Sequence, residues 1–149
     1  MDHRSSASFG KRQEFAAIAK LLGLNFDVYL TLVDDQQIDC VIRQEKDGEL
    51  RYLDIQIKAR SREAQHPGFF AAMAIPNPRE NYYFIFYDER VDTYWVIPSL
   101  RLIEEARQNK TGKNVGKYSI GLCGSLNAGA KPRPRFVEYQ DRFDLLEWK

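Results

Sequence analysis

Asp47-Gly48, set between the runs IDCVIRQEK and ELRYLDIQIK, constrains this chain more than any other feature of its sequence. Both flanking runs alternate apolar and polar residues, the signature of strands that bury one face. Asp-Gly suits a two-residue type I′ turn, which needs positive φ at both positions. With that turn, Ile38 faces Ile57, Cys40 faces Ile55 and Ile42 faces Leu53, so every pair on one face is apolar. The other face pairs Asp39 with Gln56, Gln37 with Lys58, Val41 with Asp54 and Arg43 with Tyr52. A slip of one residue would turn the apolar set outward, so turn and pattern specify the same register.

Around this hairpin the chain reads as one α/β domain (α+β, with a mixed sheet) over residues 1–149. Residues 1–8 are small and polar and are expected to fray. A first helix is expected from about Gly10 to Leu22, with Phe15, Ile18, Ala19 and Leu22 as its apolar stripe and Gly23 as its stop. A strand follows at Val28–Val33. Beyond Lys58, a short helix is expected around Phe69–Ala74, closed by Pro76 and Pro78. Tyr82–Tyr87 and Val91–Ile97 read as a second hairpin, and Pro98-Ser99 opens a helix carrying Leu100, Ile103 and Ala106. One strand is expected at Tyr118–Leu122, and an amphipathic piece, Phe136–Trp148, closes the chain.

The 149 residues are 44% hydrophobic and 29% charged, enough to bury roughly 70% of the unfolded surface. That excludes a disordered chain, a collagen-like fibre and a coiled coil. No apolar run approaches a membrane span, so no membrane partner is expected. Cys40 and Cys123 stand alone, without CxxC or a histidine cluster, and a reducing, cytoplasmic setting follows as the expectation. The net charge of +1 is uninformative, but its distribution is not. Arg107, Lys110, Lys113, Lys117, Lys131, Arg133 and Arg135 fall in one stretch with no acidic residue. GLCGSLNAGA lacks the lysine and spacing of a phosphate-binding loop, so no nucleotide cofactor is expected. His3 and His66 have no orienting partner in sequence, and the aromatics of the second hairpin read first as core.

The polar face of the first hairpin carries Asp39, Asp54, Gln56 and Lys58. Antiparallel hairpins commonly wet one face, which is the bland reading. Against it, aspartate is depleted in strands, and this hairpin holds two of them mid-strand. Glu14 lies at the margin of the first helix's apolar stripe, where a carboxylate needs a partner or a metal.

Glu14 on a first helix, Asp39 on a middle strand and Gln56-x-Lys58 on the next resemble the PD-(D/E)XK nuclease superfamily. This is the restriction-endonuclease-like fold of restriction enzymes, Holliday-junction resolvases and Mrr-type nucleases. That family's α-β-β-β-α-β order is matched from about Phe9 to Ile97, and the second hairpin is similar to small prokaryotic members. Two residues depart from the motif: Ile38 stands where proline is common, and Gln56 stands where an acid is usual, as in the QxK of Mrr-like members. The resemblance implies a Mg²⁺- or Mn²⁺-dependent endonuclease hydrolysing DNA. Asp39, Gln56 and Glu14 would be the metal ligands, with the Ile57 carbonyl, and Lys58 the catalytic lysine. Asp54 is a further carboxylate able to replace the missing charge. Arg60, Arg62, Lys113 and Lys117 would contact nucleic acid, and a homodimer would serve to cut two strands. The alternative is a catalytically silent module of the same fold that binds nucleic acid or a protein.

Overall fold

The computed structural model describes residues 3–33, 35–63, 69–124 and 130–149, with side chains from residue 5 onward. Helix α1 covers His3–Gly23, so residues expected to fray are helical. Its buried residues are Ala17, Ile18 and Leu21, with Phe9 two turns earlier. Phe15 and Leu22 are half exposed, so the stripe is rotated from the expected one. In the observed frame, Glu14 stands at the head of the series 14, 17, 18, 21, within the buried stripe itself. Asn25, not Gly23, stops the helix. It adopts φ 68° and donates to Leu22 O at 3.0 Å, while Phe26 N reaches Leu21 O at 3.1 Å. That pair of bonds is the Schellman arrangement, with asparagine tolerating the left-handed position.

Strands β1 (Asp27–Leu30), β2 (Cys40–Lys46), β3 (Glu49–Arg60), β5 (Tyr82–Asp88) and β6 (Thr93–Pro98) form a five-stranded sheet in the order β1-β2-β3-β5-β6. Only the β3–β5 pairing is parallel. The hairpin register is the one read from sequence: Cys40 pairs with Ile55, Val41 with Asp54 and Ile42 with Leu53. Asp47 at φ 53° and Gly48 at φ 81° make the turn. α1 covers one face of the sheet over Cys40, Ile42, Leu53, Ile55, Ile57, Ile85 and Val96. The opposite face packs Phe84, Phe86, Trp95 and Ile97 against Phe70, Met73, Leu102 and Leu122. β5 thus has a core on both sides, and its aromatics are packing residues: Phe70 and Phe86 lie 4.8 Å apart edge to face.

The helix expected around Phe69–Ala74 is instead strand β4 (Phe70–Met73), bulged at Ala72, which takes φ 55°. Phe70 and Met73 both face the core, a spacing that a helix would share; what makes the segment a strand is its pairing of Phe70 with Ile120 and Met73 with Tyr118. β4 joins β7 (Arg107–Gln108) and β8 (Tyr118–Ile120) in a minor sheet of order β4-β8-β7. The helix after β6, α2 (Ser99–Glu105), buries Ser99 and Leu102 and leaves Leu100 exposed, again a rotated stripe. The closing segment is two short 3₁₀ helices, Pro134–Tyr139 and Phe143–Leu146. Edge strand β1 and the residues after it expose Tyr29, Leu30, Leu32 and Val33. Among the described residues no helix is long and apolar enough to cross a membrane.

Candidate active site

The β2–β3 ladder ends at Cys40–Ile55, while β3 continues to Arg60. Residues before Cys40 peel away, and the edge of β3 that faced β2 is left without a ladder partner. A buried N–H there needs another acceptor. Asp39 supplies it: its Oδ2 accepts from Ile57 N at 2.7 Å, while its own N–H donates to Ile55 O at 2.8 Å. Asp39 is 5% exposed, so its carboxylate is a fixed element of the sheet's opening.

The chain that peels away is itself held. Thr31 Oγ1 donates to Ile38 O at 2.7 Å and to Asp39 O at 3.0 Å. Tyr82 Oη donates to Gln37 O at 2.6 Å. Gln37 adopts φ 58°, a left-handed conformation that glutamine rarely takes. Its Oε1 accepts from Lys58 Nζ at 3.4 Å, a side-chain contact in place of the Gln37–Lys58 strand pairing expected, since the ladder ends before it reaches either Ile38 or Gln37. Sequence reading missed Thr31 and Tyr82 as positioning groups because their bonds go to main-chain carbonyls, which leave no side-chain signature.

Gln56 is 3% exposed, and its Nε2 lies 3.5 Å from Ile57 O. Its Oε1 meets no donor among the described residues. An amide oxygen stranded in a buried site costs about 1–3 kcal/mol. Glu14 approaches from α1 with its side chain one-fifth exposed and pairs with Lys11 at 3.1 Å. Burial, then the charges of Asp39 and Glu14, push the Cys40 thiol up to about 12.

Lys58 and Arg60 line a cleft of about 470 Å³, walled by β4 and the first turns of α1. Arg60 is 8% exposed, and its Nε and Nη2 meet no acceptor among the described residues. Burial and the neighbouring Arg90 lower its pKa, against the pull of Asp88 and Cys123. Arg90 itself is committed to Asp88 by a buried two-pronged pair. Other expected site residues lie elsewhere. Asp54 is ion-paired with Arg79, which stacks over Tyr82 at 4.5 Å, and so is engaged away from the opening. Arg62 is exposed, with its N–H on Glu89. Lys113 and Lys117 are exposed in the β7–β8 connection of the minor sheet. His66 lies outside the described residues. Among the described residues, no group of three or more His, Cys, Asp or Glu side chains is placed to hold a metal.

The fold has a solved counterpart. The chain is similar to a bacterial homing endonuclease, I-Ssp6803I, with a TM-score of 0.58 over 92% of this chain and 89% of that one, at 20% identity. The two chains therefore share a fold. No protein-family model matches the chain, and no curated protein matches it.

Proposed function

We propose that the chain is a metal-dependent nuclease that hydrolyses DNA phosphodiester bonds at the opening between β2 and β3. The observation that carries this reading is the stranded Oε1 of Gln56, buried beside a carboxylate that already caps the sheet edge. A neutral oxygen without a donor suits a hard cation, which prefers oxygen ligands from one or two carboxylates and carbonyls. The residues present fit such an ion. Asp39 and Glu14 would supply charge, and Gln56 and the Ile57 carbonyl neutral oxygens. A bound Mg²⁺ or Mn²⁺ supplies an activated water and neutralises developing negative charge on the phosphate.

The chain's own groups do the rest. Lys58, steadied by Gln37 Oε1, would orient the attacking water and offset charge on the phosphate oxygens. Asp39 holds the Ile57 N–H and so keeps the opening from closing into a regular ladder. Arg60 and Arg62 would contact the flanking backbone. The likeness of fold to a homing endonuclease supports DNA as substrate.

A silent binding module is the second reading, favoured by three observations: Gln56 carries no charge, Glu14 is engaged by Lys11, and Asp54 by Arg79. One experiment separates the two. Plasmid and branched DNA are incubated with Mg²⁺ or Mn²⁺ and wild type, Asp39→Asn or Lys58→Ala. Metal-dependent cleavage abolished in both variants supports the nuclease. DNA binding without cleavage by any form, and no rise in thermal midpoint with either ion, establishes the silent module.

A further inference from the structure

On the outward face of the minor sheet lies a trough of about 600 Å³, separate from the catalytic opening. Its construction follows from strand alternation. Phe70 and Met73 of β4 and Ile120 of β8 turn to the core. Ala71, Ser119 and Gly121, which are small, lie on the other side and leave a hollow. Arg107 pairs across β7–β8 with Ser119 and stands at the rim. The opposite wall is the segment carrying Arg133 and Arg135. Arg133 is steadied by donating Nε to Cys123 O at 3.0 Å. Arg135 is balanced by Glu105 at 3.0 Å, which leaves Arg107 and Arg133 as the unneutralised charges of the rim.

The trough shares Phe69 and Ala71 with the cleft that Lys58 and Arg60 line. The two hollows therefore lie side by side with β4 as a common wall. A polymer seated at Lys58 that crosses β4 enters the minor sheet's trough, past arginines in a stretch that holds no acidic residue.

We propose that this trough binds the phosphodiester backbone of one nucleic-acid strand as it leaves the cleft lined by Lys58 and Arg60. The proposal rests on the nuclease reading for its polarity, but not for its test. Arg107 and Arg133 take successive phosphates, and the small floor admits the sugar. Lys113 and Lys117 of the same β7–β8 connection extend the positive field.

The test is fluorescence anisotropy in EDTA, so that no cleavage occurs. A labelled single strand and its duplex are titrated at several salt concentrations. Arg107 makes no side-chain bond among the described residues, and Arg107→Ala is expected to lower the salt slope by about one. Arg107→Ala/Arg133→Ala should lower it by about two and weaken binding roughly tenfold or more at low salt. Asn109→Arg, which adds a charge to the same rim, is expected to tighten binding and steepen the slope, an effect no folding defect imitates. Lys46→Ala, at the hairpin tip, is the remote control. The arm that responds more strongly tells whether the strand comes from single-stranded or duplex DNA. Groove variants that bind with wild-type affinity and slope overturn the trough; cleavage lost in Asp39→Asn would then still stand for the nuclease. Wild type that binds neither form also overturns the trough.

Discussion

The two ends of the β2–β3 hairpin carry similar polar residues and differ in what surrounds them. Near the turn, Arg43 reaches Asp27 at 3.7 Å and Glu45 at 3.6 Å in the open, and Tyr52 is half exposed. At the far end, Asp39 and Gln56 are 5% and 3% exposed, and one amide oxygen has no donor. Water satisfies the first set at little cost. In the second set Asp39 is satisfied by the Ile57 N–H. It is the Gln56 oxygen, without a donor among the described residues, that is unfavourable for the fold unless something is bound. Polarity on a strand therefore marks a site only where burial makes it expensive.

The sharpest way to break this comparison is at Asp39. Asp39→Asn keeps an acceptor for the Ile57 N–H and should fold normally, yet cleavage should fall by about 10²-fold or more through loss of charge. Asp39→Ala leaves that N–H stranded and should also cost about 1–3 kcal/mol in urea unfolding. Equal stability of Asn, Ala and wild type would show that the sheet opening does not depend on this carboxylate. Gln56→Leu comes next. Replacing a buried amide that lacks a donor by an apolar side chain of similar size should raise stability by about 1 kcal/mol while abolishing cleavage. A destabilised Gln56→Leu would mean the oxygen is already satisfied.

Alkaline pH probes the same end of β2 through Cys40. An unfolded thiol ionises near ~8.5, whereas burial and then Asp39 and Glu14 push this one up to about 12. Cys123 is likewise pushed up to about 12, by burial first and then by Asp88. A raised acid pKa means the unfolded state releases its proton first. The thiols' contribution to stability is complete below ~8.5 and is lost as pH rises toward 12. Thermal midpoints should fall across that window, and less steeply in Cys40→Ala. Native protein should resist alkylation at pH 8 at both cysteines. The smallest effect belongs to the turn end: Arg43→Ala should change stability by no more than about 0.5 kcal/mol, by the same unfolding measurement.

The hairpin register was legible because two independent signals, turn chemistry and alternation, point to one pairing. The register did not reach Gln37, Ile38 and Asp39, whose expected strand pairings with Lys58, Ile57 and Gln56 lie beyond the end of the ladder. α1 was legible as a helix but not in its facing, because Phe15 and Leu22 satisfy a helical period as well as Ala17 and Leu21 do. Only contact with the sheet selects between two stripes roughly 100° apart. β4 was misread because FAAM is too short to show a period, and its strand character comes from β8, far off in sequence. At the site, Asp39, Gln56 and Lys58 lay in the motif. The departure of the ladder at Cys40, with Thr31 and Tyr82 fixing the freed carbonyls, belongs to the backbone and has no letter in the sequence.

The Asp47-Gly48 turn measures distance as well as reversing the chain. Counting outward from it sets which residue of β2 is last in the ladder and which carboxylate meets the Ile57 N–H. Exchange of Asp47 for asparagine leaves that count intact. One added or deleted residue at the tip would move every partner by one step and present Ile38 or Cys40 where Asp39 now stands. An exposed turn at the opposite end of the hairpin from the candidate site is thus, like a reading frame, permissive of spelling and intolerant of length.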